Sequence, residues 1–237
     1  MKETPVSTWA NLNNIKCIKP DKITGEFTEE LNKLNLDLFI VVAYGKILPE
    51  LLIKTPKLGT INIHYSLLPL WRGASPLEAS FLNGDSKTGI SIQQMEWKLD
   101  SGPILAESEI EIPTETTKEE IKNQLVNLGG KVLCDILPKI INKELKPKPQ
   151  DESRATFCKK IKKEDGEIDI NGNGKENWNK YRAFYGWPNV FFYIIKKGKK
   201  IRVKITEANY ENNSFIIKRV VPEGRKEISY EEFLKWN

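Results

Sequence analysis

His64 is the single histidine in 237 residues, so proton transfer near neutral pH has one obvious side chain to run through. Asn62 stands two residues before it in Thr60-Ile61-Asn62-Ile63-His64, and Asp100 follows a second alternating stretch further on. An amide donor and an imidazole can stabilise a developing oxyanion, while a carboxylate can orient or charge the imidazole and accept protons from an attacking amine. The chemistry this trio suits is acyl transfer to an amine, which requires no serine or cysteine nucleophile and no metal. Each residue also has a structural reading. A lone histidine at a strand end is more often a hydrogen-bonded framework residue, Asn62 can satisfy loop backbone groups, and Asp100 before Ser101-Gly102 suits a turn. Beside His64, Ser66-Leu67-Leu68-Pro69 offers backbone N–H groups, and Trp71-Arg72-Gly73 offers a ring, a cation and a hinge.

The elements that must position these residues follow from periodicity. Leu38 to Ala43 is a continuous apolar run, the pattern of a strand buried on both faces of a parallel sheet. Phe27, Leu31 and Leu34 precede it at helical spacing. A short helix is expected over 49–54, a strand over 60–64, and a helix over 76–83 with Pro76 in its first turn and Gly84 as its stop. Strands are expected over 90–95 and 104–112. Thr117 and Glu120 form a capping-box pattern for a long helix, which Pro138 should kink or weaken near its end. An open α/β sheet gathers ligands at strand carboxyl ends, so Asn62, His64 and Asp100 could converge in one crevice.

Lys146-Pro147-Lys148-Pro149-Gln150 reads as a linker. The expected division is a catalytic unit over 1–145, a linker over 146–152 and a small, mostly β unit over 153–237. In the latter, strands over 190–195 and 201–207 flank a lysine-rich turn at Gly198, and a third strand follows Asn212-Asn213. The net charge of +5 sits in this last part: residues 1–149 carry 18 basic and 19 acidic side chains, residues 150–237 carry 19 and 13. Clusters such as Lys196-Lys197-Gly198-Lys199-Lys200 read either as a solvated surface or as a face for a polyanion such as RNA. No apolar run approaches the roughly 18 residues of a membrane span, and Met1 to Pro5 lack a secretory pattern, so a cytoplasmic location and no membrane partner are expected. Cys17, Cys134 and Cys158 are scattered and suggest neither a disulfide framework nor a zinc site.

Asn62 to Pro76, with the blocks Thr88 to Met95 and Leu99 to Leu105, resembles the signature of the folate-dependent formyltransferases. The C-terminal blocks resemble the members of that family that act on methionyl initiator tRNA: Gln150-Asp151-Glu152 through Ala155-Thr156-Phe157, Arg182 to Pro188, and Pro222 to Lys226 with Ser229 and Glu232-Phe233-Leu234. The resemblance implies an α/β fold, with a Rossmann-like formyltransferase domain on a mostly parallel sheet followed by a small OB-like β-barrel. It implies formyl transfer from 10-formyltetrahydrofolate, a co-substrate, to the α-amino group of methionine on initiator tRNA. Asn62, His64 and Asp100 match the family's catalytic positions, and Ser66, Leu67, Leu68 and Pro69 match its folate-contacting loop. No metal is implied.

Two departures from the pattern stand out. Tyr65 occupies a position where the family usually has a small residue, so its phenol either narrows the crevice or turns outward. The family's opening strand, its glycine-containing loop and the next strand have no counterpart, which makes the catalytic domain N-terminally incomplete and leaves the apolar run over 38–43 at an exposed edge. That points either to an N-terminally shortened product of a formyltransferase gene or to an enzyme completed by a separate N-terminal segment. The alternatives are a catalytically weak RNA- or folate-binding remnant, or a formyltransferase acting on a sugar amine.

Overall fold

The computed structural model describes residues 3–235. Two helices, α1 (Pro5–Leu12) and α2 (Gly25–Lys33), precede β1 (Phe39–Val42). There follow α3 (Glu50–Lys54), β2 (Thr60–His64), a two-residue β3 (Arg72–Gly73), α4 (Pro76–Asn83), β4 (Lys87–Gln94), β5 (Ile104–Glu111) and α5 (Lys118–Ile141). The remaining elements are β6 (Phe157–Cys158), α6 (Gly174–Phe184), β7 (Phe191–Lys196), β8 (Lys199–Glu211), β9 (Ser214–Pro222), β10 (Ile228–Ser229) and α7 (Tyr230–Leu234).

The first sheet has the order β1-β2-β4-β5. Only its β1–β2 pairing is parallel; β2–β4 and β4–β5 are antiparallel, which corrects the expectation of a mostly parallel sheet. The correction has a topological cause: the chain crosses back through α4, lays β4 against the direction of β2, and turns directly into β5. A second correction concerns β1. It is the edge strand, with Ile40 and Val42 43% and 46% exposed, and is not buried on both faces. An apolar run reads the same whether its second face is covered or open.

The sheet divides its two faces by chemistry, as period-2 alternation requires. Ile61, Ile63, Ile90 and Ile92 are buried with Leu77 and Phe81 of α4 and Ile121 and Leu125 of α5 in one apolar core. Helix α5 comes close to the sheet at Gly129, where a Cβ would stand 3.1 Å from the Ile63 side chain. Glu120 accepts a hydrogen bond from the Thr117 N–H at 2.7 Å and starts this helix. The helix continues through Pro138 to Ile141 because Ile136 and Ile140 on either side of it are buried; that packing outweighs one lost backbone bond. The opposite face of β2 and β4 carries Thr60, Asn62, His64, Ser91 and Gln93.

The second sheet is an antiparallel meander of order β10-β9-β8-β7, consistent with a small barrel. Its two tight turns are Lys197-Gly198 and Asn212-Asn213, both residues of each having positive φ, the geometry that matches strand twist in two-residue hairpins. Helix α6 joins the two halves. Asn179 presses on Gly84 at the end of α4, the Arg182 guanidinium lies 5.1 Å from the Phe81 ring, and Arg182 Nη1 donates to the Pro113 carbonyl.

Candidate active site

Asn62 and His64 lie on the polar face of β2, in register with Gln93 and Ser91 of β4. The His64 Nε2 stands 3.0 Å from the Trp71 carbonyl oxygen. A carbonyl offers lone pairs alone, so Nε2 carries the hydrogen and, in the neutral ring, Nδ1 is left with its lone pair. That Nδ1 faces Asp100 Oδ2 at 3.8 Å, too far for a direct hydrogen bond and close enough for the charges to couple. Burial pushes the imidazole below its ordinary value of 6.5; the Asp100 charge and the Trp71 carbonyl pull it back only in part. His64 is therefore held neutral, with a basic nitrogen beside a carboxylate.

Asp100 sits in the turn between β4 and β5 with φ of 46°, a left-handed conformation that costs a non-glycine residue of order 1 kcal/mol or more. Its two carboxylate oxygens are placed separately: Gly73 N–H donates to Oδ2 at 2.8 Å and Gln93 Nε2 donates to Oδ1 at 3.0 Å. Asn62 is half-buried and donates one amide hydrogen to the Val41 carbonyl at 3.2 Å. The structure thus brings His64 and Asp100 together and places Asn62 on the same strand face, tied to β1.

The loop from Ser66 to Pro69 is held by its own groups. Ser66 Oγ donates to the Leu70 carbonyl at 2.6 Å, the Leu68 N–H donates to Ser91 Oγ at 2.9 Å, and the Pro69 carbonyl accepts from the Thr156 N–H. Ser66, Leu68 and Pro69 are buried, and Leu67 is partly exposed. Tyr65 continues the Ile61 and Ile63 side of the strand and packs against the apolar core. Burial raises its phenol pKa. It takes neither orientation expected from sequence: the ring turns inward to the core side of the strand, away from His64.

Three residues of this site, Ser91, Gln93 and Gln150, carry no role in the sequence reading, and Arg72 enters it only as a loop cation. Ser91 and Gln93 are almost fully buried and alternate with the core residues Ile90 and Ile92; a polar residue at every second position of a buried strand is the signal that could have found them. Arg72 and Gln150 meet across the linker, with two guanidinium nitrogens 3.1 and 2.7 Å from Gln150 Oε1. Their long sequence separation hides that contact. A separate cavity of about 540 Å³ lies at the opposite end of β2, lined by Thr60, Ile61, Ile53, Gln94 and Ile140 among others. It contains none of the site residues, and the His64 end remains the one with chemistry. Among the described residues there is no group of three metal-ligating side chains, and no helix is long and apolar enough to cross a membrane.

Residues 2–137 match the formyl transferase family, and residues 160–218 match the formyl transferase C-terminal domain. The chain belongs to the formyl transferase family. It is 40% identical over 212 residues to the methionyl-tRNA formyltransferase of Sulfurihydrogenibium sp. (strain YO3AOP1), covering 88% of this chain and 68% of that protein. It is 38% identical to the one of Caldicellulosiruptor saccharolyticus, covering 84% and 63%. The chain thus spans about two thirds of the length of the curated relatives it matches. Among solved folds it resembles methionyl-tRNA formyltransferase from Clostridium thermocellum, with a TM-score of 0.66, 22% identity and coverage of 94% and 92% of the two chains. It also resembles HypX from Aquifex aeolicus in complex with tetrahydrofolic acid, with a TM-score of 0.68, 17% identity and coverage of 90% and 41%. The formyl transferase fold thus extends over both halves of the chain.

Proposed function

We propose that this formyl transferase moves a formyl group from 10-formyltetrahydrofolate to the α-amino group of methionyl initiator tRNA. The observation that carries the reading is the neutral imidazole of His64 held 3.8 Å from Asp100 on the face shared with Asn62. With Nε2–H committed to Trp71, the His64 Nδ1 lone pair is the group that meets the attacking amine. As the amine nitrogen bonds to the formyl carbon, its proton passes to Nδ1 and Asp100 stabilises the imidazolium. The second Asn62 amide hydrogen donates to the formyl oxygen as it gains charge. The imidazolium then returns its proton to the departing nitrogen. His64 acts here as a base, in place of the oxyanion donor expected from sequence.

The half-buried Leu67 and Leu70 and the backbone edge of Ser66 to Pro69 are the groups that would seat the folate. We assign the catalytic unit to 1–145, the linker to 146–152 and a tRNA-binding, OB-like unit to 153–237. The β7–β8 hairpin supports the last assignment: Lys200 Nζ lies 3.8 Å from the exposed Tyr193 ring, so a cation for phosphate and a ring for stacking stand side by side on one ribbon. The open edge of β1 is where a separately supplied N-terminal segment would add a strand. The test incubates the chain with 10-formyltetrahydrofolate and charged initiator tRNA, with and without that segment, and measures formyl-methionine. Absence of product in both arms would overturn the reading, and amino sugars as competing acceptors test the acceptor class.

A further inference from the structure

The linker that joins the two halves also reaches into the catalytic site. Residues 71–73 hold both proton-handling groups by backbone, Trp71 through its carbonyl to His64 and Gly73 through its N–H to Asp100. Arg72 lies between them, and its side chain, fully buried at 0% exposure, turns the other way. Its Nε and Nη2 donate to Gln150 Oε1, and its Nη1 and Nη2 donate to Glu152 at 3.2 and 2.7 Å. Lys98 adds a second cation to Glu152 at 2.7 Å.

The carboxamide of Gln150 is used at both ends. While Oε1 takes Arg72, Nε2 donates to the carbonyls of Asp100 at 2.9 Å and Gly102 at 2.7 Å. It thus grips the turn on both sides of Ser101 and holds the left-handed backbone of Asp100, which has no glycine to relax it. Register is set two residues earlier, where Lys148 and Ile104 exchange backbone hydrogen bonds at 2.8 Å. Beyond Gln150, Thr156 Oγ1 accepts from the Trp71 N–H at 2.8 Å, and β6 pairs with β3.

We propose that Gln150 is a positioning residue for the reaction: by bridging Arg72 to the Asp100 turn it sets the distance between Asp100 and His64, and through the linker it ties that distance to the seating of the C-terminal half. Neither a carboxylate nor a methyl group can replace it, because the position needs an acceptor toward Arg72 and a donor toward two carbonyls on one side chain. The proposal rests on the reading of His64 and Asp100 as the proton-handling pair.

His64 being the only histidine makes the test direct. Its ring proton resonances are followed against pH by NMR in the full chain, in Asp100→Asn and in Gln150→Leu, alongside formyl-transfer kinetics. Asp100→Asn should move the His64 midpoint down, since the charge that raises it is gone. Gln150→Leu should move it in the same direction by a substantial part of that shift. It should also lower kcat by about tenfold or more while changing KM for either substrate less than about threefold, the pattern of lost transition-state geometry. If Gln150→Leu does not fold by circular dichroism, Gln150→Glu keeps the Arg72 acceptor and removes only the donor. Its added negative charge would by itself raise the midpoint, so a downward shift there reports displacement of Asp100. A His64 midpoint unmoved in Gln150→Leu while Asp100→Asn shifts it, or an unchanged kcat in Gln150→Glu, overturns the positioning role. A midpoint unmoved in Asp100→Asn overturns the underlying pair.

Discussion

At the scale of single residues, the site is a competition between burial and charge at one imidazole. Burial wins, so the working form of His64 is neutral and the rate should fall as pH drops through a midpoint below 6.5. Asp100→Asn removes the interaction that raises that midpoint. The acid limb of the kcat/KM profile should therefore move to lower pH while the plateau rate drops; a limb displaced upward would contradict the assignment. The same sign governs stability. A histidine whose folded midpoint lies below its unfolded one binds fewer protons when folded, so stability contributed by neutral His64 is present above about pH 6.5 and is lost as pH falls from there toward the folded midpoint. Urea unfolding of wild type and His64→Gln across pH 4 to 8 measures it, with the pH slope smaller in the variant. Asn62→Ala and His64→Ala should each reduce the formyl-transfer rate by about 100-fold or more, as loss of a transition-state donor or base does, and near wild-type rates in both would remove the mechanism.

At the scale of elements, the turn between β4 and β5 does more than connect strands. Gly102 lies where a methyl group would collide with the Gln94 carbonyl, so Gly102→Ala should lower stability by about 1–3 kcal/mol and slow the reaction by displacing Asp100, both readable by denaturant titration and kinetics on one preparation. Strand β2, helix α4 with its Pro76 and Gly84, and the start of α5 were legible because each carries a local signal. Asn62 and His64 were legible as a pair because two-residue spacing on a strand needs nothing else. The convergence of Asp100 on the same crevice was legible from its place after a strand end; its distance from His64 was not, since that depends on the bulge between Ile92 and Gln93 and on a left-handed residue. Helix α6 escaped notice because its apolar positions are few, although Asn173 caps it by accepting from the N–H groups of Lys175 and Glu176. The parallel sheet was overdrawn because an apolar strand announces burial and says nothing of its partner's direction.

At the scale of the whole molecule, charge and connectivity divide the work. The basic excess lies after residue 150, on the half whose hairpin carries Lys199 and Lys200, so replacing both lysines by alanine should weaken tRNA binding and lower the slope of log K against log salt by about 1 to 2. Folate binding should stay unchanged, and an unaltered slope would place the RNA contact on another surface. The two halves share α4–α6 packing and the Trp178 Nε1 hydrogen bond to the Thr114 carbonyl at 3.0 Å, so they should unfold together in one calorimetric transition. The two-residue pairing of β3 with β6 has a consequence for the order in which the protein is made. Asn62, His64 and Asp100 leave the ribosome well before Thr156, yet Trp71 waits for the Thr156 hydroxyl to fix the carbonyl that orients the imidazole. A nascent chain stalled at residue 145 holds all three side chains but lacks Gln150 and Thr156, so the contacts that fix Trp71 and the Asp100 turn form only once the linker and the start of the C-terminal half have emerged.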